Sequence, residues 1–314
     1  MTDFLVIGEC VADIVRAPGH HDVPHPGGSP ANVAYGLGRL GHPTALLTQL
    51  GADRLGELIT THLRSAGVEL LTDGRPPAAT PSAIVTLDAQ GRADYTFDIH
   101  WSLAPTTPAV TAPHVHFGSL AALLAPGAEA TADLVTGLRA GATVSYDPNI
   151  RPALLGSPAA VRARVERCVA LSDLVKASDE DLHWLYPELS PERAAARWLA
   201  LGPALVLVTR GGAGALAVTR GARAEGPATA AEVVDTVGAG DSFMSATLDA
   251  LAARDLLGAG ARDALASLTE AALAALLRHA GAAAAVTVSR AGANPPDHGE
   301  LAAALAGAAG PSAS

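Results

Sequence analysis

The segment Asp235-Thr236-Val237-Gly238-Ala239-Gly240-Asp241-Ser242-Phe243 joins two glycines to an acid at the threshold of a helical pattern carried by Met244, Ala246, Thr247, Leu248 and Leu251. Gly238 and Gly240 allow backbone angles that side chains resist, so the chain can fold tightly there with its amides bared. Those amides open a helix, whose first N–H groups are unpaired and whose dipole places roughly half a positive charge at that end. Such a corner holds an anion, including a phosphoryl group in transfer, without a lysine. Asp241 stands beside it, where a carboxylate can accept the proton of an attacking hydroxyl. A bare Gly-x-Gly-Asp string also reads as a turn in which Asp caps a helix.

Outward from this corner, apolar β-rich runs at 3–8, 44–50, 142–146, 173–177, 204–209, 214–219 and 284–289 alternate with helical patterns near 30–40, 54–66, 128–140, 158–171, 191–201, 241–254 and 261–281. This alternation predicts an α/β fold of βαβ units, with a mostly parallel sheet and helices on both faces. Crossovers are then right-handed and ligands belong at the carboxyl ends of the strands. Residues 81–99 break the pattern and read as two strands around a turn at Asp88–Gly91, either a flap over a site or an ordinary edge hairpin. No internal repeat is visible, and the small, polar tail Gly307–Ser314 is expected to fray.

The chain has 314 residues, enough for a large core, and 49% of them are hydrophobic, which argues against disorder. A net charge of −10 with no basic stripe argues against a nucleic-acid partner. Cys10 and Cys168 lie far apart with no metal spacing and read as reduced thiols of a cytoplasmic protein. The N-terminus has no basic n-region, so Met1–Gly8 reads as a first strand and not as a signal peptide. No uninterrupted apolar run reaches the ~18 residues of a membrane span; Ala271–Val288 contains Arg278 and His279, so no membrane partner is expected. Lys176 is the only lysine, and it follows Val175, which excludes a Gly-Lys-Ser/Thr phosphate loop. The protein-kinase signatures His-Arg-Asp and Asp-Phe-Gly are absent as well.

Other strings carry weaker signals. In Gly27-Gly28-Ser29-Pro30-Ala31-Asn32-Val33-Ala34, Ser29 suits a helix N-cap and Pro30 the first helical position. The paired glycines permit close approach of a ligand, and Asn32 can donate and accept hydrogen bonds to hydroxyls. Asp13 lies just past the first strand. In Asp147-Pro148-Asn149-Ile150-Arg151-Pro152, the prolines stiffen a loop and Arg151 offers a planar fork suited to phosphate or carboxylate. Thr209-Arg210-Gly211-Gly212-Ala213-Gly214-Ala215 ends a buried strand and alone reads as a hairpin turn. His20, His21 and His25 cluster, and His114 and His116 could face one way on a strand. No cysteine or carboxylate completes a familiar metal spacing around either group.

The nine-residue string at 235–243 resembles the signature of the ribokinase-like (PfkB-type) carbohydrate kinases. Gly27–Ala34 looks like that family's N-terminal sugar-binding motif, and the similarity runs in the family's order from Gly8 to Pro296. The resemblance implies a single ribokinase-type domain over 1–314, a three-layer α/β/α (Rossmann-like) fold with a small β-sheet lid from segments near 10–25 and 80–100. It implies Asp241 as catalytic base, the amides of Gly238, Ala239 and Gly240 as the anion hole, and Asp235 as a helper for the metal-bound phosphates. Asp13, Gly28 and Asn32 become sugar contacts. On the nucleotide side, Thr209, Gly211 and Gly214 resemble the ATP-side turn, and Asn294 falls in a stretch that borders adenine. ATP and Mg²⁺ are the implied cofactors, together with a monovalent cation such as K⁺. A homodimer through the lid is a further expectation. Asp147–Arg151 and His116–Leu120 resemble fructokinase strings and point to fructose, phosphorylated on its primary hydroxyl. Arg151 leaves 2-keto-3-deoxygluconate open, and a nucleoside or a non-catalytic binding protein on the same fold stays further behind. The family's Asn-x-x-Glu motif departs here to Ser178-Asp179-Glu180-Asp181, so the roles of Ser178 and Asp181 are open. Lys176 just before it either reaches the nucleotide phosphates or is solvated.

Overall fold

A computed structural model describes residues 2–16, 21–75, 77, 79–87 and 93–308. The strands are β1 (Phe4–Ile7), β2 (Val11–Arg16), β3 (Val23–Gly27), β4 (Thr44–Leu47), β5 (Glu69–Leu71), β6 (Ser82–Leu87), β7 (Ala93–Asp98), β8 (His114–Gly118), β9 (Thr143–Asp147), β10 (Leu174–Ser178), β11 (Leu205–Thr209), β12 (Ala215–Val218) and β13 (Arg223–Gly226). The helices are α1 (Ser29–Arg39), α2 (Arg54–Ser65), α3 (Gly127–Leu138), α4 (Pro152–Leu155), α5 (Pro158–Leu171), α6 (Asp179–Leu185), α7 (Pro191–Leu201), α8 (Ala239–Ala252), α9 (Arg262–Ala266), α10 (Glu270–Val288) and α11 (His298–Ala308).

Nine strands form one sheet in the order β13-β12-β11-β10-β9-β8-β1-β4-β5. The seven strands from β11 to β5 are parallel, and β12 runs antiparallel between β11 and β13. Alternation along β1 makes the layers: Leu5 and Ile7 face a core shared with Val135 of α3, Val165 of α5, Leu185 of α6 and Trp198 of α7. Phe4 and Val6 face the opposite core with Val33 of α1, Ile59 of α2, Met244 of α8 and Leu273 of α10. With two-residue periodicity, each buried strand contributes side chains to both helical layers, which gives the expected three-layer α/β/α architecture.

A second sheet of four strands, β3-β2-β6-β7, stands apart from the first. Its β2 pairs with β3 and β6 in the register Asp13↔His25 and Asp13↔Ala83. The turn expected at Asp88–Gly91 lies outside the described residues, as does the tail beyond residue 308; Gly307 belongs to α11.

Two expectations are corrected. Residues 284–288 of the 284–289 run are helical, because they continue α10, whose alanine-rich sequence passes through Gly281 without a break and ends only at its C-cap Ser289. A short apolar run has no periodicity that separates strand from helix. The helical pattern at 261–281 is two helices: α9 ends at Ala266, and Thr269 starts α10 by accepting from Ala272 N at 3.3 Å. Among the described helices, α10 alone is long and apolar enough to cross a membrane; here it packs on α8, α11, β12 and β13.

Candidate active site

The anion corner forms where Gly238 takes φ 76° and caps α8. A Cβ at Gly238 would lie 2.6 Å from Ala293 Cβ, so the position needs glycine for both angle and space. Ala239 N donates to Thr236 O at 3.3 Å, and Ser242 N donates to Gly238 O at 2.8 Å. The amides of Gly240 and Asp241 lie between them, in the first-turn positions that a helix start leaves unpaired. Asp235 secures the loop from behind: its carboxylate accepts from Val237 N at 3.0 Å and from Gly292 N at 2.8 Å. Those two backbone hydrogen bonds hold the Asp235 carboxyl below the ordinary range.

Asp241, 9% exposed, is gripped from α1. Ser29 Oγ donates to Oδ1 at 2.6 Å and Asn32 Nδ2 donates to Oδ2 at 2.8 Å. The N-cap of α1 is Gly28, at φ 97°, and not Ser29. Ser29 is drawn one place into the helix because its hydroxyl serves Asp241 instead of capping. The two helices approach closely at Gly36, where a Cβ would stand 2.5 Å from Ser245 Oγ of α8. A Cβ at Gly28 would lie 2.6 Å from Glu9 O, so Gly28 contributes close backbone packing beside the first strand.

Asp13 reaches toward this pair from β2. Gly27 leaves it room, since a Cβ there would collide with Asp13 Oδ2. Burial pushes the Asp13 carboxyl up to about 6; the Arg151 guanidinium and His25 oppose the rise and Asp241 adds to it. Arg151 itself is anchored through Nη1, which donates to Asn149 Oδ1 at 2.8 Å and Ile150 O at 3.0 Å.

Lys176 is 4% exposed, which excludes a solvated lysine. Its Nζ lies 2.7 Å from Asp147 Oδ2 and donates to Gly240 O at 3.3 Å. Burial pushes the Asp147 carboxyl up to about 6 despite the attraction of Lys176. For Lys176 the balance is opposite: burial disfavours its charge, but Asp147, Asp241 and Asp181 together hold its pKa above the usual lysine value. The altered motif acquires a role here. Ser178 and Asp181 form a reciprocal cap on α6, each main-chain N–H donating to the other's side chain at 3.0 Å. The second Asp181 oxygen accepts from Ile150 N at 2.8 Å, tying the Arg151 loop to α6.

Beside Lys176 and Gly240 opens a cleft of ≈ 880 Å³, a size suited to a nucleotide. Thr209, Gly211 and Gly214 line one wall, Arg151 and Asp181 another, and Leu277, Ala284 and Val288 of α10 supply apolar surface. Gly214, at φ 86°, lies where a Cβ would strike Gly226 O. Asn294 is exposed and outside this lining. Its neighbour Ala293 instead buttresses Gly238.

The structure thus brings Asp13, Asn32, Arg151, Lys176 and Asp241 together, with Thr209, Gly211 and Gly214 along the adjoining cleft and Asp235 behind the corner. Two participants escape sequence reasoning: Ser29 as the partner of Asp241 and Asp147 as the partner of Lys176. Only the strand-end position of Asp147 could have signalled either of them. His114 and His116 do face one way, bonded to Thr143 and Ser145 in a buried ladder, and burial lowers both to about 3 and keeps them neutral. Among the described residues, no group of three His, Cys, Asp or Glu side chains is placed to hold a metal ion. Mg²⁺ fits such a site only as a companion of nucleotide phosphates, with few protein ligands.

The sequence profile of the pfkB family of carbohydrate kinases matches residues 1–298. A fructokinase of Rhizobium leguminosarum bv. trifolii is 35% identical over 241 residues, 74% of each chain. The ATP-bound fructokinase of Xylella fastidiosa superposes with a TM-score of 0.85 at 28% identity, covering 98% of this chain and 99% of that one. A fructokinase double mutant of Vibrio cholerae O395 with fructose, ADP and a potassium ion bound gives 0.79 at 26% identity, covering 97% and 98%.

Proposed function

The chain belongs to the pfkB family of carbohydrate kinases, and from that premise we propose that it moves the γ-phosphoryl group of ATP onto the primary hydroxyl of fructose, yielding fructose 6-phosphate. One observation carries the reading: Asp241 sits at the first turn of α8, flanked by the unpaired amides of that turn, with α1 fixing both its oxygens. A hydroxyl brought to Asp241 meets a proton acceptor and an anion site in one place.

In this reading Asp13 and Asn32 bind sugar hydroxyls, Gly28 lets the backbone come close, and Asn32 holds Asp241 in position until sugar arrives. Asp241 takes the hydroxyl proton. The amides of Gly240 and Asp241, and through them the corner shaped by Gly238 and Ala239, stabilise charge on the transferring group. Lys176, locked between Asp147 and Gly240, keeps a positive charge at the phosphate end of the cleft. Thr209, Gly211 and Gly214 form the floor for the nucleotide. Mg²⁺, bound with ATP, supplies further neutralisation of the phosphates; Asp235 serves it indirectly, by fixing the loop. A potassium ion beside that loop belongs to the same reading, since the Vibrio cholerae relative carries one.

The second sheet acts as the lid that excludes water on closure. Its edge strands are β3 and β7, and Val15 and Val23 are exposed on it, so a homodimer through the lids completes the reading. The buried free thiols of Cys10 and Cys168 suit the cytoplasm. Arg151, with one guanidinium nitrogen committed and the rest open, favours a sugar acid such as 2-keto-3-deoxygluconate as the second substrate to test.

ADP release with MgATP and potassium, measured against fructose, 2-keto-3-deoxygluconate, ribose, adenosine and glucose, tests the substrate. Preference for fructose is expected. Turnover confined to another sugar would discard fructose and keep the phosphotransfer.

A further inference from the structure

We propose that Glu9 is a positioning residue for sugar binding, acting through Ser119 and Asn149 on the Arg151 guanidinium; the inference rests on the sugar-kinase reading of this site. Glu9 follows β1 at the carboxyl edge of the sheet and is 2% exposed. Its Oε2 accepts from Ala121 N at 2.9 Å and its Oε1 from Leu120 N at 3.3 Å. Burial pushes its carboxyl up to about 7, opposed by hydrogen bonds from Ser119, Ala121 and Leu120. Burial thus favours the neutral acid, and the N–H donors of the corner 119–121 pull it toward the carboxylate, so Glu9 titrates near neutrality in contact with that corner.

That corner is strained in a particular way. Ser119 has φ 52° and Asn149 φ 38°, and these are two of the three described non-glycine residues with positive φ. Such angles persist only where the surroundings impose them, and they gather at functional sites. Both residues follow adjacent parallel strands, β8 and β9, which touch so closely that a Cβ at Gly118 would collide with Asp147 O. Asn149 Nδ2 comes within 3.5 Å of Ser119 Oγ, while Asn149 Oδ1 accepts from Arg151 Nη1 at 2.8 Å. From Glu9, which holds the backbone of Leu120 and Ala121 next to Ser119, the line thus runs through Ser119 and Asn149 to the Arg151 guanidinium, whose charge acts on Asp13. Two strained residues in the line hold polar groups toward each other, and Glu9 is the fixed end. Chain packing alone explains a buried apolar residue at position 9. It does not explain an acid whose oxygens grip the corner from which the line to Arg151 starts.

Glu9→Gln keeps the volume and replaces one acceptor oxygen with an NH₂ that faces an amide donor. Relaxation of the corner is then expected to raise the KM for sugar by about tenfold, the effect of one charge-assisted hydrogen bond. The turnover number stays within about twofold and the KM for ATP is unchanged. In an Asn149→Ala background the same change adds nothing further, because the line is already cut. A general structural defect would instead raise both KM values or lower turnover, and would multiply with Asn149→Ala; either result overturns the proposal, as does an unchanged sugar KM. Should Glu9→Gln fail to fold, Ser119→Ala cuts the line while sparing the buried acid and carries the same expectations. A crystal structure of whichever variant folds tests the line without substrate. Loss of the Asn149–Arg151 contact supports the proposal and its retention overturns it, so a protein silent on every sugar would count against the kinase reading alone.

Discussion

Replacing Lys176 with methionine removes a buried charge and little volume, and its consequence depends on pH in a calculable way. Lys176 and Asp147 are 2.7 Å apart, with side chains 5% and 1% exposed. Breaking a buried pair from one side costs about 3–5 kcal/mol when the remaining charge has no escape. Asp147 has one: its carboxyl already stands at about 6 with the lysine present, and rises further without it. An acid whose pKa is raised by folding stabilises the fold fully below its unfolded value near 4, and that stability is lost as pH climbs through the folded value. The wild type therefore loses this contribution between about pH 4 and 6. In Lys176→Met the loss continues above pH 6 at about 1.4 kcal/mol per unit, some 3 kcal/mol by pH 8. Urea denaturation at pH 5, 6, 7 and 8 measures the deficit against wild type. A small deficit at pH 5 that widens to about 3 kcal/mol at pH 8 is expected, and Lys176→Met combined with Asp147→Asn should remove the widening. A deficit equal at all four pH values would refute the argument that Lys176 sets the ionisation of Asp147.

Gly238→Ala forces a side chain into φ 76° and against Ala293; it should lower turnover by at least about tenfold and destabilise by about 1–3 kcal/mol, read from kinetics and thermal melts. Asp249, at the far end of α8, accepts from His42 at 2.9 Å and His279 at 2.6 Å, and these bonds outweigh burial and hold it well below the carboxylate range. Asp249→Asn should cost about 1–3 kcal/mol at pH 7, fading as pH falls below about 4, with both KM values unchanged. Asp181→Asn replaces one of two acceptors, of which one holds Ile150 N of the Arg151 loop and the other Ser178 N of the α6 cap, and should raise the KM values several-fold with turnover nearly intact.

The parts of the site built from neighbours in sequence are legible without the structure. Gly238, Gly240 and Asp241 announce a helix start with an acid beside it, and β1 and α1 follow from local pattern. The pairing of chain-distant groups is not legible in this way. Ser29 has every property of an N-cap, and only the approach of α8, 212 positions away, turns its hydroxyl to Asp241. Lys176 is equally compatible with solvent until β9 places Asp147 beside it, and Glu9 looks like any acid after a strand. The 284–289 run shows the complementary failure, since a short apolar segment carries no period and tertiary context decides it. Family resemblance puts Asn294 at the adenine, yet the described cleft ends at Val288 on that side.

Asp241→Asn tests the central claim most directly, because the amide keeps the size and the Ser29 contact while losing the capacity to take a proton. ADP release with saturating MgATP and fructose, corrected for sugar-independent hydrolysis, should fall by at least about 10²-fold with the variant folded and nucleotide binding intact. Turnover within a few-fold of wild type would contradict the assignment of Asp241 as the base.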